Sequence, residues 1–172
     1  MAIIEGKRLK TVSVTKALAA ASVYDANDVL SESAGAGAGT IWTFAAIASK
    51  NGGTGYIVKA HAISETTAVT PRLTLFLHNA TVAAELDDHA TNTQLLHTDL
   101  ASYVGKIDFP AMEDLGTGDS EAVATPSTTG NLPLAFECAT AADDLYGVLV
   151  TRDAFTQTAG DDMVIRLTAE QY

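Results

Sequence analysis

The sequence predicts an all-β fold: a jelly-roll-like antiparallel β-sandwich with long polar loops and an N-terminal arm. Three observations point there. The last third holds Leu132-Pro-Leu-Ala-Phe136, Leu145-Tyr-Gly-Val-Leu-Val150 and Met163-Val-Ile-Arg-Leu-Thr168, separated by Gly, Asp, Ala and Thr. Runs this short, branched and aromatic, with turn residues between them, read as antiparallel strands rather than amphipathic helices. The same grammar extends back almost to the N-terminus, and only residues 93–103 carry a helical spacing. Eight or nine strands with two long loops suit a sandwich or jelly roll better than a parallel α/β fold.

Residues 1–10 form the arm, and residues 11–172 form one domain, long enough to bury a core without disulfides. From Leu9 to Thr15 the chain alternates, with Leu9, Thr11, Ser13 and Thr15 on one side and Val12 and Val14 on the other. Val23 to Leu30 reads as a second strand. The Gly-Ala alternation of residues 31–40 is too short for a silk-like sheet and reads as a flexible loop. Ile41 to Ala48 contains the only Trp, Trp42, and its phase suggests a strand buried on both faces. Asn51-Gly-Gly-Thr-Gly55 predicts a tight turn, with Tyr56 to Ile63 as the returning strand of a hairpin.

Pro71 opens the next strand, which places Leu73, Leu75 and Leu77 on one face. Thr81 to Asn92, with Glu85, Asp87, Asp88 and His89, reads as a long exposed excursion. Leu96, Leu100 and Tyr103 are spaced for a short helical turn. Val104 to Pro110 resumes strand chemistry, Met112 to Thr129 reads as a second polar insertion, and the three closing strands follow.

Composition narrows the function classes. With 10 Lys plus Arg against 21 Asp plus Glu, the net charge of -11 repels phosphate backbones, so no nucleic-acid partner is expected. No apolar run is long enough to cross a bilayer, and the first residues lack the order of a signal peptide, so a soluble protein without a membrane partner is expected. Cys138, the only cysteine, excludes an intrachain disulfide and reads as core. The charge is uneven: residues 1–16 hold Lys7, Arg8, Lys10 and Lys16 against Glu5 alone. Such a basic segment either clasps a neighbouring subunit or acidic partner or is the solvated start of a first strand.

Chemistry-bearing patterns are thin. His61, His78, His89 and His97 share no metal-ligand spacing, although His89 beside Asp87 and Asp88 puts three ligand types in one loop. The acid pairs Asp87-Asp88, Asp143-Asp144 and Asp161-Asp162 match no calcium-loop motif and read as solvated charge, so neither metal nor cofactor is expected. No Gly-x-Ser-x-Gly elbow or Ser/His/Asp grouping is legible, and the chain is not expected to be an enzyme.

Asn131-Leu-Pro-Leu-Ala-Phe136, Asp144-Leu-Tyr-Gly-Val-Leu-Val-Thr-Arg-Asp-Ala-Phe-Thr156 and Val164-Ile-Arg-Leu-Thr168 form a pattern with three earlier segments. Those are Asn51-Gly-Gly-Thr-Gly-Tyr-Ile57, Pro71-Arg-Leu-Thr-Leu-Phe-Leu-His-Asn79 and Tyr103-Val-Gly-Lys-Ile-Asp-Phe-Pro110. Together they resemble the capsid decoration, or cement, proteins of tailed bacteriophages. The resemblance implies a jelly-roll homotrimer, made in the host bacterial cytoplasm and seated on the outer surface of an icosahedral head. There it would bridge subunits of the major capsid protein. It carries over no catalytic or binding residue. From charge alone, Lys7, Arg8 and Lys10 are candidates for contact with the capsid or a neighbouring subunit, and the insertions around Asp87 and Asp114 for trimer or outward surfaces. The alternative is a phage tail or fibre module binding host glycans; a hydrolase ranks third.

Overall fold

The computed structural model describes residues 8–19, 22–127 and 131–171. Its strands, in chain order, are β1 Arg8–Ala17, β2 Val23–Tyr24, β3 Trp42–Phe44, β4 Thr54–Ser64 and β5 Leu73–His78. A 3₁₀ turn, η1 His97–Ser102, leads into β6 Tyr103–Asp108, β7 Glu113–Asp114, β8 Ser120–Ala124 and β9 Leu134–Glu137. The chain closes with β10 Leu145–Thr151, β11 Phe155–Thr156 and β12 Asp162–Gln171.

The all-β expectation holds, and every strand pair is antiparallel. A six-stranded sheet runs β1-β12-β4-β8-β7, with β9 sharing the far edge of the long β4 beside β8. A four-stranded sheet runs β3-β10-β5-β6, and β2 and β11 make a small ribbon. The three closing strands are therefore not neighbours: β9 and β12 flank β4, while β10 lies in the other sheet between β3 and β5.

One apolar core unites the sheets. From the six-stranded sheet come Ile57, Ala60, Ala62, Ala122, Phe136 and every second residue of β12, namely Met163, Ile165, Leu167 and Ala169. Small Ala side chains there face large ones opposite: Trp42, Phe44, Leu73, Leu75, Leu77, Ile107, Leu145 and Leu149. Trp42 is fully buried and its indole Nε1 donates to Leu30 O at 3.0 Å, which satisfies its one polar atom. Cys138 is buried, as its neighbours in the sequence suggested.

The four-stranded sheet is buried on its outer side too. Phe76, Val148 and Val150 form a second apolar cluster with Val29 and Ala84, joined by Val82, Leu86, Leu96 and Tyr103. Residues 79–102 thus roof this sheet, which is why all six residues of β5 are buried. The expected exposed excursion is instead a cover, and its Asp88 is only 3% exposed.

Other expectations change in detail. The strand at Trp42 is three residues long and buried on one face, with Thr43 exposed; Ala46 then takes φ 51° and its N–H is held by Asp144 Oδ1 at 2.6 Å. Asn51–Gly55 does turn, with Gly52 at φ 66°, but it makes no hairpin: β3 pairs with β10 and β4 with β12, β8 and β9. The Gly52 N–H reaches Ala139 O and Ala142 O, so the turn docks on another loop and carries the chain between sheets. Val23 to Leu30 is a two-residue strand followed by isolated bridges at Asp28 and Val29. The helical spacing at 93–103 becomes the 3₁₀ turn η1, whose buried residue is Asp99. The second polar insertion contains β7 and β8, and Ser120, Ala122 and Ala124 point inward.

Candidate functional site

β1 takes in Arg8 and Lys10, so two of the three basic candidates are part of the sheet, whereas Lys7 lies outside the described residues. Arg8 is exposed opposite Gln171. Lys10, opposite Ala169, is half-buried and its ammonium donates to Ala48 O at 3.2 Å. Lys16 is committed to the interior: Nζ lies 2.5 Å from Glu32 Oε2 and 2.8 Å from Thr40 Oγ1, and 5.4 Å from the centre of the Trp42 ring. Burial pulls the Lys16 ammonium below its usual range. Partial burial works to raise the Glu32 carboxyl, but hydrogen bonds from Lys16 and Thr40 outweigh it and hold it at about 2.

β1 pairs over its whole length with β12, and among the described residues no strand pairs with its other edge. Such an edge offers a row of backbone donors and acceptors to any chain that adds a strand. Its outward face carries Leu9, 70% exposed, then Thr11, Ser13 and Thr15. Thr11 Oγ1 meets Thr168 Oγ1 at 3.1 Å and Arg166 Nε donates to Ser13 Oγ at 3.1 Å, so polar cross-strand pairs stiffen the face. The outer face of β12 and β4 continues it with Arg166, Lys59 and Tyr56, all exposed.

A second arrangement gathers around Asp87, Asp88 and His89. Asp87 accepts the N–H groups of Gly39 at 2.8 Å and Gly37 at 2.7 Å, bonds that lower its carboxyl below the usual range and tether the Gly-Ala loop. Gly39 is required there, since a Cβ would lie 1.9 Å from Leu86 O. Asp88 is buried, and its Oδ1 accepts Tyr24 Oη–H and Ser31 N–H, each at 2.8 Å. Burial, reinforced by the Asp88 charge, pushes the Tyr24 phenol far up, so it stays a donor. Asp88 Oδ2 lies 2.7 Å from His89 Nδ1, and His89 Nε2 lies 2.6 Å from Ser22 Oγ. The imidazole stacks on Tyr24 with ring centres 3.7 Å apart, and Tyr24 stacks on Phe155 at 4.9 Å. His89 itself holds φ 61°, uncommon for a residue with a side chain.

The sequence singled out His89 with its two acids but missed Ser22, which is 67 residues away and belongs to no motif. Among the described residues no three His, Cys, Asp or Glu side chains are grouped to hold a metal ion. Burial raises the Cys138 thiol to about 11, which removes it as a nucleophile near neutral pH. A shallow, open cleft of about 360 Å³ lies between the sheets' ends, lined by Thr54, Asn79, Tyr103, Val104, Ala135, Phe136 and Glu137. No family model, curated protein or solved structure matches this chain. Among the described residues no helix is long and apolar enough to cross a membrane.

Proposed function

We propose that this protein is a virion structural protein that decorates and stabilises the outside of an icosahedral phage head, as a homotrimer bridging subunits of the major capsid protein. The observation that carries the reading is the ten-residue open edge of β1, with Arg8 and Lys10 at its start and Leu9 exposed beside them. An open edge of that length can take a strand from another chain, and its basic start would pair with acidic groups on the capsid or a neighbouring subunit. The resemblance to decoration proteins, with the jelly-roll body it implies, points the same way. Because a trimer presents each contact three times, modest contacts add up to tight retention by avidity. The net charge of -11 keeps such a body away from the packaged DNA.

Quantitative mass spectrometry of purified virions tests the role. Copies comparable in number to the major capsid protein support head-wide decoration; a handful per particle contradicts it. That second outcome would favour a tail or fibre module binding host glycans, for which the open cleft beside Tyr103, Asn79 and Glu137 supplies an aromatic ring and polar groups.

A further inference from the structure

We infer that Ser22 is an activated nucleophile that accepts an acyl group from small carboxylic esters, with His89 as its base and Asp88 as the group that orients the base. The hydrogen-bond directions follow from one another. Asp88 already accepts from the Tyr24 hydroxyl and the Ser31 N–H, so it serves as an acceptor toward His89 as well. In the neutral form of the imidazole the proton between them sits on Nδ1, which leaves the lone pair on Nε2. Facing that lone pair at 2.6 Å, the Ser22 hydroxyl is the donor. Nucleophile, base and orienting carboxylate thus stand in the order, and within the reach, that acyl transfer by a serine needs.

The imidazole is well fixed for this role. One face lies on Tyr24, one nitrogen is tied to a buried carboxylate, and the backbone holds a φ that few side-chain-bearing residues adopt. Ser22 is exposed, so an ester reaches it directly from solvent. In the step, Ser22 Oγ bonds to the carbonyl carbon as its proton passes to His89 Nε2. The carbon–oxygen bond to the leaving group breaks, and that group departs with the proton from Nε2. Water, deprotonated by the same nitrogen, then hydrolyses the Ser22 ester and restores the hydroxyl.

Reaction with a fluorophosphonate reads the first half of this chemistry directly, since a Ser Oγ–P bond forms as fluoride leaves. The full chain is treated with diisopropyl fluorophosphate and adducts are mapped by peptide mass spectrometry. Ser127 is an internal reference in the same molecule, being exposed and hydrogen-bonded to the Thr125 hydroxyl rather than to an imidazole. The expected result is labelling of Ser22 at least about 100-fold faster than of Ser127, the scale of one positioned general base. His89→Asn, whose side chain tolerates the left-handed backbone, should bring Ser22 down to the Ser127 rate. Ser22→Ala should remove the adduct. Equal labelling of Ser22 and Ser127 in the unaltered protein, or a Ser22 rate indifferent to His89→Asn, overturns the inference. The comparison within the unaltered chain holds even if a variant fails to fold, and neither result bears on head binding.

Discussion

The outer faces of the two sheets are treated in opposite ways. On the four-stranded sheet, Phe76, Val148 and Val150 are covered by residues 79–102 of the same chain. On the six-stranded sheet, Thr11, Ser13, Lys59, Arg166 and Tyr56 face solvent, and β1 ends the sheet with an open edge. The chain thus spends about two dozen residues roofing one sheet, while none of its described strands pairs with the free edge of β1 in the other. An apolar face demands cover and a polar face does not, so the roof follows from the side chains of β5 and β10. The open edge has no such internal cause. That asymmetry is why the proposed docking surface is put at β1 rather than on the roofed side.

Substitutions probe the two faces separately. Trp42→Ala, in the core shared by both sheets, should cost about 3–5 kcal/mol, read as a fall in the denaturant midpoint. Phe76→Ala under the roof should cost about 3 kcal/mol, whereas Lys59→Ala on the open face should stay within about 0.5 kcal/mol. Equal costs at Phe76 and Lys59 would erase the distinction. Asp88→Asn weakens two bonds that pin the roof to β2 and to Ser31 and a third to His89 within the roof, and should cost about 2 kcal/mol in the same assay. Leu9→Ser should leave stability within about 0.5 kcal/mol yet reduce retention on heads, measured by co-sedimentation.

The smallest effect concerns acid. The Glu32 carboxyl sits at about 2 in the folded protein against an ordinary 4.5. A lowered folded value means stability that is fully present above pH 4.5 and lost as pH falls from there toward 2. Melting temperature should therefore fall less steeply across that window in Glu32→Gln than in the unaltered protein. Parallel curves would show that the Lys16–Glu32 pair contributes nothing measurable.

How far the sequence could be read follows from what alternation encodes. β1 and β5 were legible from a period of two, β10 and β12 from short branched and aromatic runs between turn residues, and so was the burial of Trp42 and Cys138. Alternation says which face a residue takes and nothing about which strand lies beside it. Hence Asn51-Gly-Gly looked like a hairpin while β4 found its partners in β8, β9 and β12. β8 was hidden because its inward residues, Ser120, Ala122 and Ala124, are small and look like loop composition. Asp88 was misjudged for a different reason: a carboxylate is expected in water unless partners are supplied, and its partners Tyr24 and Ser31 lie 64 and 57 residues away. The basic candidates were found by charge, but Arg8 and Lys10 belong to the edge strand itself.

The claim that β1 is the docking edge is tested most directly by amide hydrogen exchange over Arg8–Ala17, compared between the free chain and the chain bound to purified heads. Docking through β1 should slow its exchange on heads, as backbone groups that pair with no described strand gain partners. Unchanged exchange in β1, with protection gained instead around Asn79 and Tyr103, would contradict it.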